Sequence, residues 1–298
     1  MIIAVLILAV LVFLFFLASI SLASYVMKGK RQTLEETFKW QSDHYDTSFY
    51  NRLWKNEYIV KGYEGYELHT VFLKNPKKTD KYMIITHGYT DNRHGALKYA
   101  AVYLELGYNC IIYDLRGHGL NQPYITTYGI LEAKDLDCLI RDTRERYDVK
   151  ELGLHGESLG AATTVTVLKY KVNIDFAVSD CGFSDIENVL RGGVKNMHLP
   201  SFAVDMADLG ARIRYHYSLK KMRPIDSLDE NEIPILFIHG DSDTFILPKN
   251  SSDMAKRTKG YHEIYYIKGA GHAMSVIKDP ENYRKYVSGF LGNLKKKG

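Results

Sequence analysis

The stretch Gly156-Glu157-Ser158-Leu159-Gly160 sits between a short apolar run at 151–155 and a helix-like run at 161–168. Strand, tight turn and helix with a serine at the apex make the G-x-S-x-G pattern of a nucleophile elbow. Glycines suit such a turn because strand and helix approach too closely for a Cβ. The start of the helix directs backbone N–H groups and the positive end of its dipole at whatever the serine attacks. The chemistry on offer is acyl transfer through a covalent intermediate. A serine alkoxide is too basic to exist at neutral pH, so an imidazole must take the proton during attack. That imidazole needs a carboxylate to fix its tautomer and stabilise the imidazolium.

The elements that would position such groups follow from hydrophobic periodicity. Residues 66–73 alternate, as in a strand with one buried face. Apolar runs at 82–86, 109–113, 152–155, 176–179, 235–238 and 263–267 read as buried strands. Helical spacing covers 96–106, where Gly107 supplies the stop, then 131–147, the elbow helix and 281–294. Strand–helix alternation from residue 58 onward predicts an α/β fold, a doubly wound, mostly parallel sheet with helices on both faces. Ligands in such sheets bind at the carboxyl ends of the strands. There the chain carries polar, glycine-containing turns: Thr86-His87-Gly88-Tyr89-Thr90, Asp114-Leu115-Arg116-Gly117-His118-Gly119, the serine pentapeptide, His239-Gly240-Asp241-Ser242-Asp243, and Gly269-Ala270-Gly271-His272.

In these motifs and their order, residues 58–295 resemble α/β-hydrolases. The style is closest to bacterial serine hydrolases of the esterase, dienelactone-hydrolase and prolyl-oligopeptidase branch, including forms with an N-terminal anchor. Members carry H-G, D-x-R-G-x-G, G-x-S-x-G, H-G-x-x-D and G-x-G-H motifs after successive strands, and all five stand here in that order. The resemblance implies an eight-stranded type of sheet, a helical cap and the triad order serine, acid, histidine. It makes Ser158 the nucleophile. After the candidate acid only His262 and His272 remain, and His272, in a glycine-rich turn beyond the last strand, is the expected base. Asp243 matches the family position for the acid. Asp241, which readily bonds its own turn, and Asp180 and Asp185 after an earlier strand are the rivals. The oxyanion donors implied are the backbone N–H groups of Leu159 and Tyr89. His87, His118, His155 and His239 read as hydrogen-bonding parts of tight turns. Glu157, beside the nucleophile, suggests repulsion of anionic substrates.

Composition narrows the remaining choices. The 298 residues are 46% hydrophobic and 25% charged, an ordinary globular balance. The net charge is +4, nearly accounted for by Lys295, Lys296 and Lys297, and no basic stripe suggests nucleic acid. Cys110, Cys138 and Cys181 are too few and too widely spaced for a disulfide framework or a zinc site, and read as free thiols. No motif implies a metal or another cofactor.

Residues 2–27 carry no charge and reach about 39 Å as a helix, enough to cross a bilayer. Their length and the lack of a basic leader favour an uncleaved anchor over a signal peptide. Lys28, Lys30 and Arg31 follow the span, so the positive-inside rule expects a single-pass membrane protein with its catalytic domain in the cytoplasm. The expected organisation is an anchor at 1–27, a linker with helical spacing at 28–57 and a hydrolase domain at 58–298. Within the last, residues 184–224 are too many for a plain connection and are expected to form the cap, with Phe183, Met197, Phe202, Met206 and Tyr215 as candidates for an acyl pocket. The activity this predicts is hydrolysis of a carboxylic ester through a Ser-Asp-His triad, on a small-molecule ester or a short acyl or peptidyl substrate. Peptidase, amidase and thioesterase activity are alternatives on the same triad, and a catalytically silent, membrane-tethered binding protein is the non-enzymatic one.

Overall fold

A computed structural model describes residues 1–297. In chain order the elements are α1 (Ile2–Lys28), α2 (Leu34–His44), α3 (Ser48–Arg52), β1 (Lys55–Lys61), β2 (Glu67–Leu73), β3 (Lys81–Thr86), α4 (Leu97–Glu105), β4 (Asn109–Tyr113), α5 (Ile130–Arg146), β5 (Glu151–Glu157), α6 (Leu159–Val167), β6 (Phe176–Asp180), α7 (Ile186–Asn196), α8 (Phe202–Tyr215), β7 (Ile235–Gly240), α9 (Lys249–Arg257), β8 (His262–Ile267), α10 (Ser275–Lys278) and α11 (Pro280–Lys297). The described residues pack as two compact units, one of residues 31–184 with 223–297 and one of residues 1–30 with 185–222.

The larger unit is built on an eight-stranded sheet in the order β1-β2-β4-β3-β5-β6-β7-β8. β1 and β2 pair antiparallel, as do β2 and β4, and every later pairing is parallel. This is the mostly parallel α/β sheet expected from the alternation of runs. The strands read from continuous apolar runs are interior ones except β8, read as buried but lying at the far edge of the sheet with only Ile267 buried; β4 and β6 are buried along their whole length. Chain order reverses around β3, which lies between β4 and β5. Thr86 therefore stands beside Gly156 at the carboxyl ends of the two strands. The reversal opens a crevice there, and the turns after β3 and β5 become its two lips.

One strand escaped the sequence reading. In β1 only Val60 is buried, so Lys55-Asn56-Glu57-Tyr58-Ile59-Val60-Lys61 shows too little alternation to declare itself. A domain start at residue 58 falls inside it. The polar segment before β1 forms α2 and α3, and Phe38, Tyr45, Phe49 and Leu53 pack against a core that includes Tyr99, Tyr103, Tyr283 and Phe290. Thr33 caps α2: its hydroxyl accepts from the N–H of Glu36, while its own N–H donates to the Glu36 carboxylate.

The smaller unit pairs α1 with the helical insertion. Small side chains let α1 and α8 meet closely, with Ser19 and Ala23 facing Ala207, Gly210 and Ala211, all buried. A Cβ on Gly210 would lie 2.0 Å from the carbonyl oxygen of Ser19. One turn further along both helices, the Ser24 and Tyr215 hydroxyls are 2.8 Å apart, so α1 and α8 run parallel. α1 is the one helix among the described residues that is long and apolar enough to cross a membrane.

Candidate active site

Ser158 occupies the sharp corner between β5 and α6 with φ 54° and ψ −112°, a backbone that a residue with a Cβ adopts only under constraint. The corner is that tight because nothing fills it. A Cβ on Gly156 would lie 2.1 Å from the carbonyl oxygen of Gly160, and one on Gly160 would lie 2.1 Å from that of Thr86. The Ser158 N–H donates to the carbonyl of Asp180 across the β5–β6 pair, 2.9 Å. Leu159 opens α6, so its N–H is one of the amides with no carbonyl to meet inside the helix.

The Ser158 hydroxyl lies 3.0 Å from Nε2 of His272. Nδ1 of the same ring lies 2.7 Å from Oδ2 of Asp243. Burial pushes the Asp243 carboxyl up, but hydrogen bonds from His239 and His272 and the N–H of Ile246 outweigh it and hold the group well below the usual carboxylate range. An ionised Asp243 can only accept, so His272 carries its proton on Nδ1 and leaves Nε2 free to accept from the serine. The other Asp243 oxygen takes the N–H groups of Phe245 and Ile246, both at 2.9 Å.

The rival residues lie elsewhere. Asp241 accepts from the Ser242 hydroxyl at 2.9 Å and the Gly269 N–H at 2.7 Å. Asp185 caps α7 by accepting from the Glu187 N–H. Asp180 lies 3.0 Å from the Tyr99 hydroxyl, and His262 is exposed at the start of β8.

The turn after β3 faces the elbow. A Cβ on Gly88 would lie 3.8 Å from that of Ser158, which puts the Gly88–Tyr89 peptide beside Ser158. His87 braces this turn: one ring nitrogen donates to the Gly88 carbonyl at 2.7 Å and the other accepts from the Leu115 N–H at 2.9 Å. Burial lowers its pKa to about 4, which keeps it neutral for that split role. The Tyr89 ring is held between the Tyr128 ring and the Arg31 guanidinium, 4.5 Å from its centre. His118 bonds the Tyr89 carbonyl, His155 meets the Tyr103 hydroxyl, and His239 bridges Ser251 to Asp243. All four histidines are buried parts of hydrogen-bonded turns and strands.

Two features of the site had no reading in the sequence. The first is a buried charge cluster beneath the serine. Lys98, on α4, forms an ion pair with Glu157, the two side chains being 4% and 6% exposed. Lys98 Nζ also donates to the carbonyl of Ala273 at 3.0 Å, and the Tyr99 hydroxyl donates to Glu157 at 2.6 Å. Burial works against the Lys98 charge, but Glu157 outweighs it and the pKa is raised. Burial first, and Glu157 second, push Asp180 and Asp91 up to about 6. Glu157 therefore spends its charge on Lys98, and the expected repulsion of anionic substrates loses its physical basis. The signal for Lys98 was a single lysine in the otherwise apolar run Leu97-Lys98-Tyr99-Ala100-Ala101-Val102.

The second feature is a pocket wall. A cleft of about 280 Å³ opens at Ser158 and His272, between Tyr89 and Asp91 on one side and Phe245 and Met274 on another. The Phe245 ring lies 5.0 Å from that of His272. Gln32, Trp40 and Gln41, from the segment read as a linker, line the same cleft. The Gln32 N–H donates to the Thr90 carbonyl at 2.9 Å, which ties this segment to the turn after β3. Among the described residues no cluster of three or more His, Cys, Asp or Glu could hold a metal, and Cys110, Cys138 and Cys181 are free thiols.

Comparison with known proteins agrees with this architecture. The family model for the alpha/beta hydrolase fold matches residues 81–199. The chain is 30% identical over 272 residues to the uncharacterized protein YqkD of Bacillus subtilis (strain 168), covering 89% of each chain. The solved esterase Pf2001 of Pyrococcus furiosus is similar with a TM-score of 0.70 at 22% identity, over 83% of this chain and 94% of that one. Est1E from Butyrivibrio proteoclasticus, solved with ferulic acid bound, is similar with a TM-score of 0.59 at 15% identity, over 79% and 99%. The chain belongs to the α/β-hydrolase superfamily.

Proposed function

We propose that the protein is a membrane-anchored serine hydrolase that cleaves carboxylic esters through an acyl-enzyme. The observation that carries this reading is one imidazole bridging the elbow serine at 3.0 Å and a buried carboxylate at 2.7 Å. In the proposed cycle Ser158 attacks the ester carbonyl as His272 Nε2 takes its proton, and Asp243 stabilises the imidazolium. The Leu159 and Tyr89 N–H groups receive the oxyanion. The imidazolium protonates the departing alcohol. His272 then activates a water that cleaves the acyl-serine, and the proton returns to Ser158 as the acid leaves. The esterase name of the fold neighbour from Pyrococcus furiosus adds support for the substrate class.

The proposed anchor is residues 1–27, followed by a connecting segment and the hydrolase domain with its cap at 184–224; the boundary expected at residue 58 moves back to Arg31, because β1 begins at Lys55 and the segment before it packs on the core. Lys28, Lys30 and Arg31 favour a cytoplasmic catalytic domain. Protease accessibility in intact cells tests that side assignment. A fluorophosphonate probe, followed by a panel of p-nitrophenyl esters and aminoacyl amides with Ser158→Ala as control, tests the activity. Labelling and ester turnover, both abolished in Ser158→Ala, are the expected results. Failure of the native protein to label would favour a silent binding protein, and faster turnover of the amides would make it a peptidase.

A further inference from the structure

The turn joining α7 to α8 ends in an apolar tip with no covering partner in its own unit. Met197 is 61% exposed, Leu199 47% and Phe202 59%, with Pro200 also exposed between them. Three large apolar side chains in water at one hairpin end make a patch that calls for an occupant.

The smaller unit indicates which one. α1 and α8 run parallel, registered by Gly210 on Ser19 and Tyr215 on Ser24. At about 1.5 Å per residue, Phe202 stands about 12 Å from Gly210 along α8, back toward the N-terminal end of α1. That brings the tip level with Leu11 and Val12. The exposure of α1 agrees: Val12 and Phe16 are 46% and 38% exposed, less than Leu11 and Phe13 at 58% and 61%, and they continue the buried stripe of Ser19, Ala23 and Met27. The tip therefore lies beside the apolar, exposed part of α1.

Just below the tip the surface changes character. Arg191 pairs with Glu187 at 2.6 Å and Asp205 at 2.9 Å, and Lys220 joins Asp205 at 3.0 Å. Lys195 is exposed one turn before the tip. An apolar end above a collar of paired and basic groups is the profile of an element seated at the boundary of acyl chains and headgroups, about 5–10 Å deep.

We propose that the α7–α8 turn is a second membrane contact, inserting Met197, Leu199 and Phe202 into the same leaflet that α1 enters, with Lys195 at the lipid phosphates. The inference rests on the reading of α1 as a membrane anchor and takes its exposed part, residues 2–17, as the segment inside the bilayer, with the buried stripe of Ser19, Ala23 and Met27 outside it. On this view the insertion is pinned at two points, and tilting of α8 about α1 is restrained by the bilayer itself.

The test uses the full chain reconstituted in phosphatidylcholine vesicles containing phosphatidylglycerol, with and without acyl-brominated phosphatidylcholine. Phe202→Trp reports on the tip and Val10→Trp on α1, each read as added emission over the wild type with its Trp40 and Trp54. Leu199→Trp is a second tip reporter, and circular dichroism checks folding. Expected is blue-shifted emission at position 202, quenched by brominated acyl chains at least half as strongly as position 10. Quenching at position 10 but at neither tip position overturns the proposal and leaves the anchor standing. A tip tryptophan shielded from aqueous acrylamide yet untouched by brominated lipid overturns it in favour of a protein partner. No quenching at position 10 removes the anchor reading and the proposal with it.

Discussion

Replacing Lys98 by methionine would keep the length of the side chain and remove its charge. Glu157 would then sit with its carboxylate buried and the Tyr99 hydroxyl as the donor it keeps, and the Ala273 carbonyl would lose its 3.0 Å partner. Deleting one member of a buried ion pair costs about 3–5 kcal/mol, because the other is left uncompensated. At about 2–4 °C of Tm per kcal/mol for a domain of this size, melting should fall by about 10 °C. Adding Glu157→Gln neutralises the stranded charge, and the double variant should recover at least half of that loss. Activity separates this from a purely structural contact. Glu157 directly precedes Ser158 and Ala273 directly follows His272, so Lys98 clamps the two turns that must hold serine and imidazole in register. Loosening them should lower kcat by up to about 100-fold with a smaller change in KM. Thermal melts of the three variants and p-nitrophenyl ester kinetics measure both effects. A single variant within about 1 kcal/mol of wild type, or a double variant no more stable than the single, would refute the reasoning.

Asp243→Asn should preserve the fold yet cut kcat by about 10⁴, because the amide no longer fixes the reactive tautomer of His272; steady-state kinetics beside a melting curve check it. Asp243, held low in the folded state, contributes stability that is present above the unfolded carboxylate pKa of about 3.9 and lost as pH falls through its lower folded value. Asp180 works in the opposite sense. Its pKa is raised to about 6, so the folded state binds more protons than the unfolded one between about 4 and 6, and its contribution to stability grows as pH falls through that window. Denaturant melts of wild type and Asp180→Asn at pH 7 and pH 4.5 should show the wild type gaining on the variant, and a constant gap would exclude the shift. Gly210→Val must separate α8 from the Ser19 carbonyl, and faster limited proteolysis across 185–222, with the sheet unit intact, is the expected signature.

The central sheet was legible because burial on both faces leaves an unmistakable mark: β4 is the five-residue run Asn109-Cys110-Ile111-Ile112-Tyr113, and it was read with its ends in place. The elbow was equally plain, since two missing Cβ atoms are a local requirement and a local requirement is written locally. β1 was not, because a half-exposed edge strand needs only one buried residue, Val60, and gives periodicity nothing to work with. Lys98 and Trp40 were invisible as site residues for another reason. Their meaning lies in partners far away in sequence, Glu157 and the serine cleft, and a lone lysine in an apolar run cannot name the carboxylate that makes it tolerable. The insertion was recognised by its length, but the small-residue stripe on α8 announces a close helix contact without saying that α1 supplies the other face.

The tie between Gln32 and Thr90 has a bearing on how this protein can be rebuilt. Anchored enzymes are commonly treated as a catalytic cassette on a disposable leash, to be trimmed or spliced onto another carrier. Here the stretch that begins at Arg31 stacks on the Tyr89 ring, bonds the following turn and walls the cleft through Trp40 and Gln41. A chimera joined at residue 58 would discard that wall and cut β1 in two, and one joined before Arg31 would keep both. If the proposed function holds, changes of residue within 31–44 would alter the cleft wall, and with it substrate preference, while leaving Ser158, His272 and Asp243 untouched.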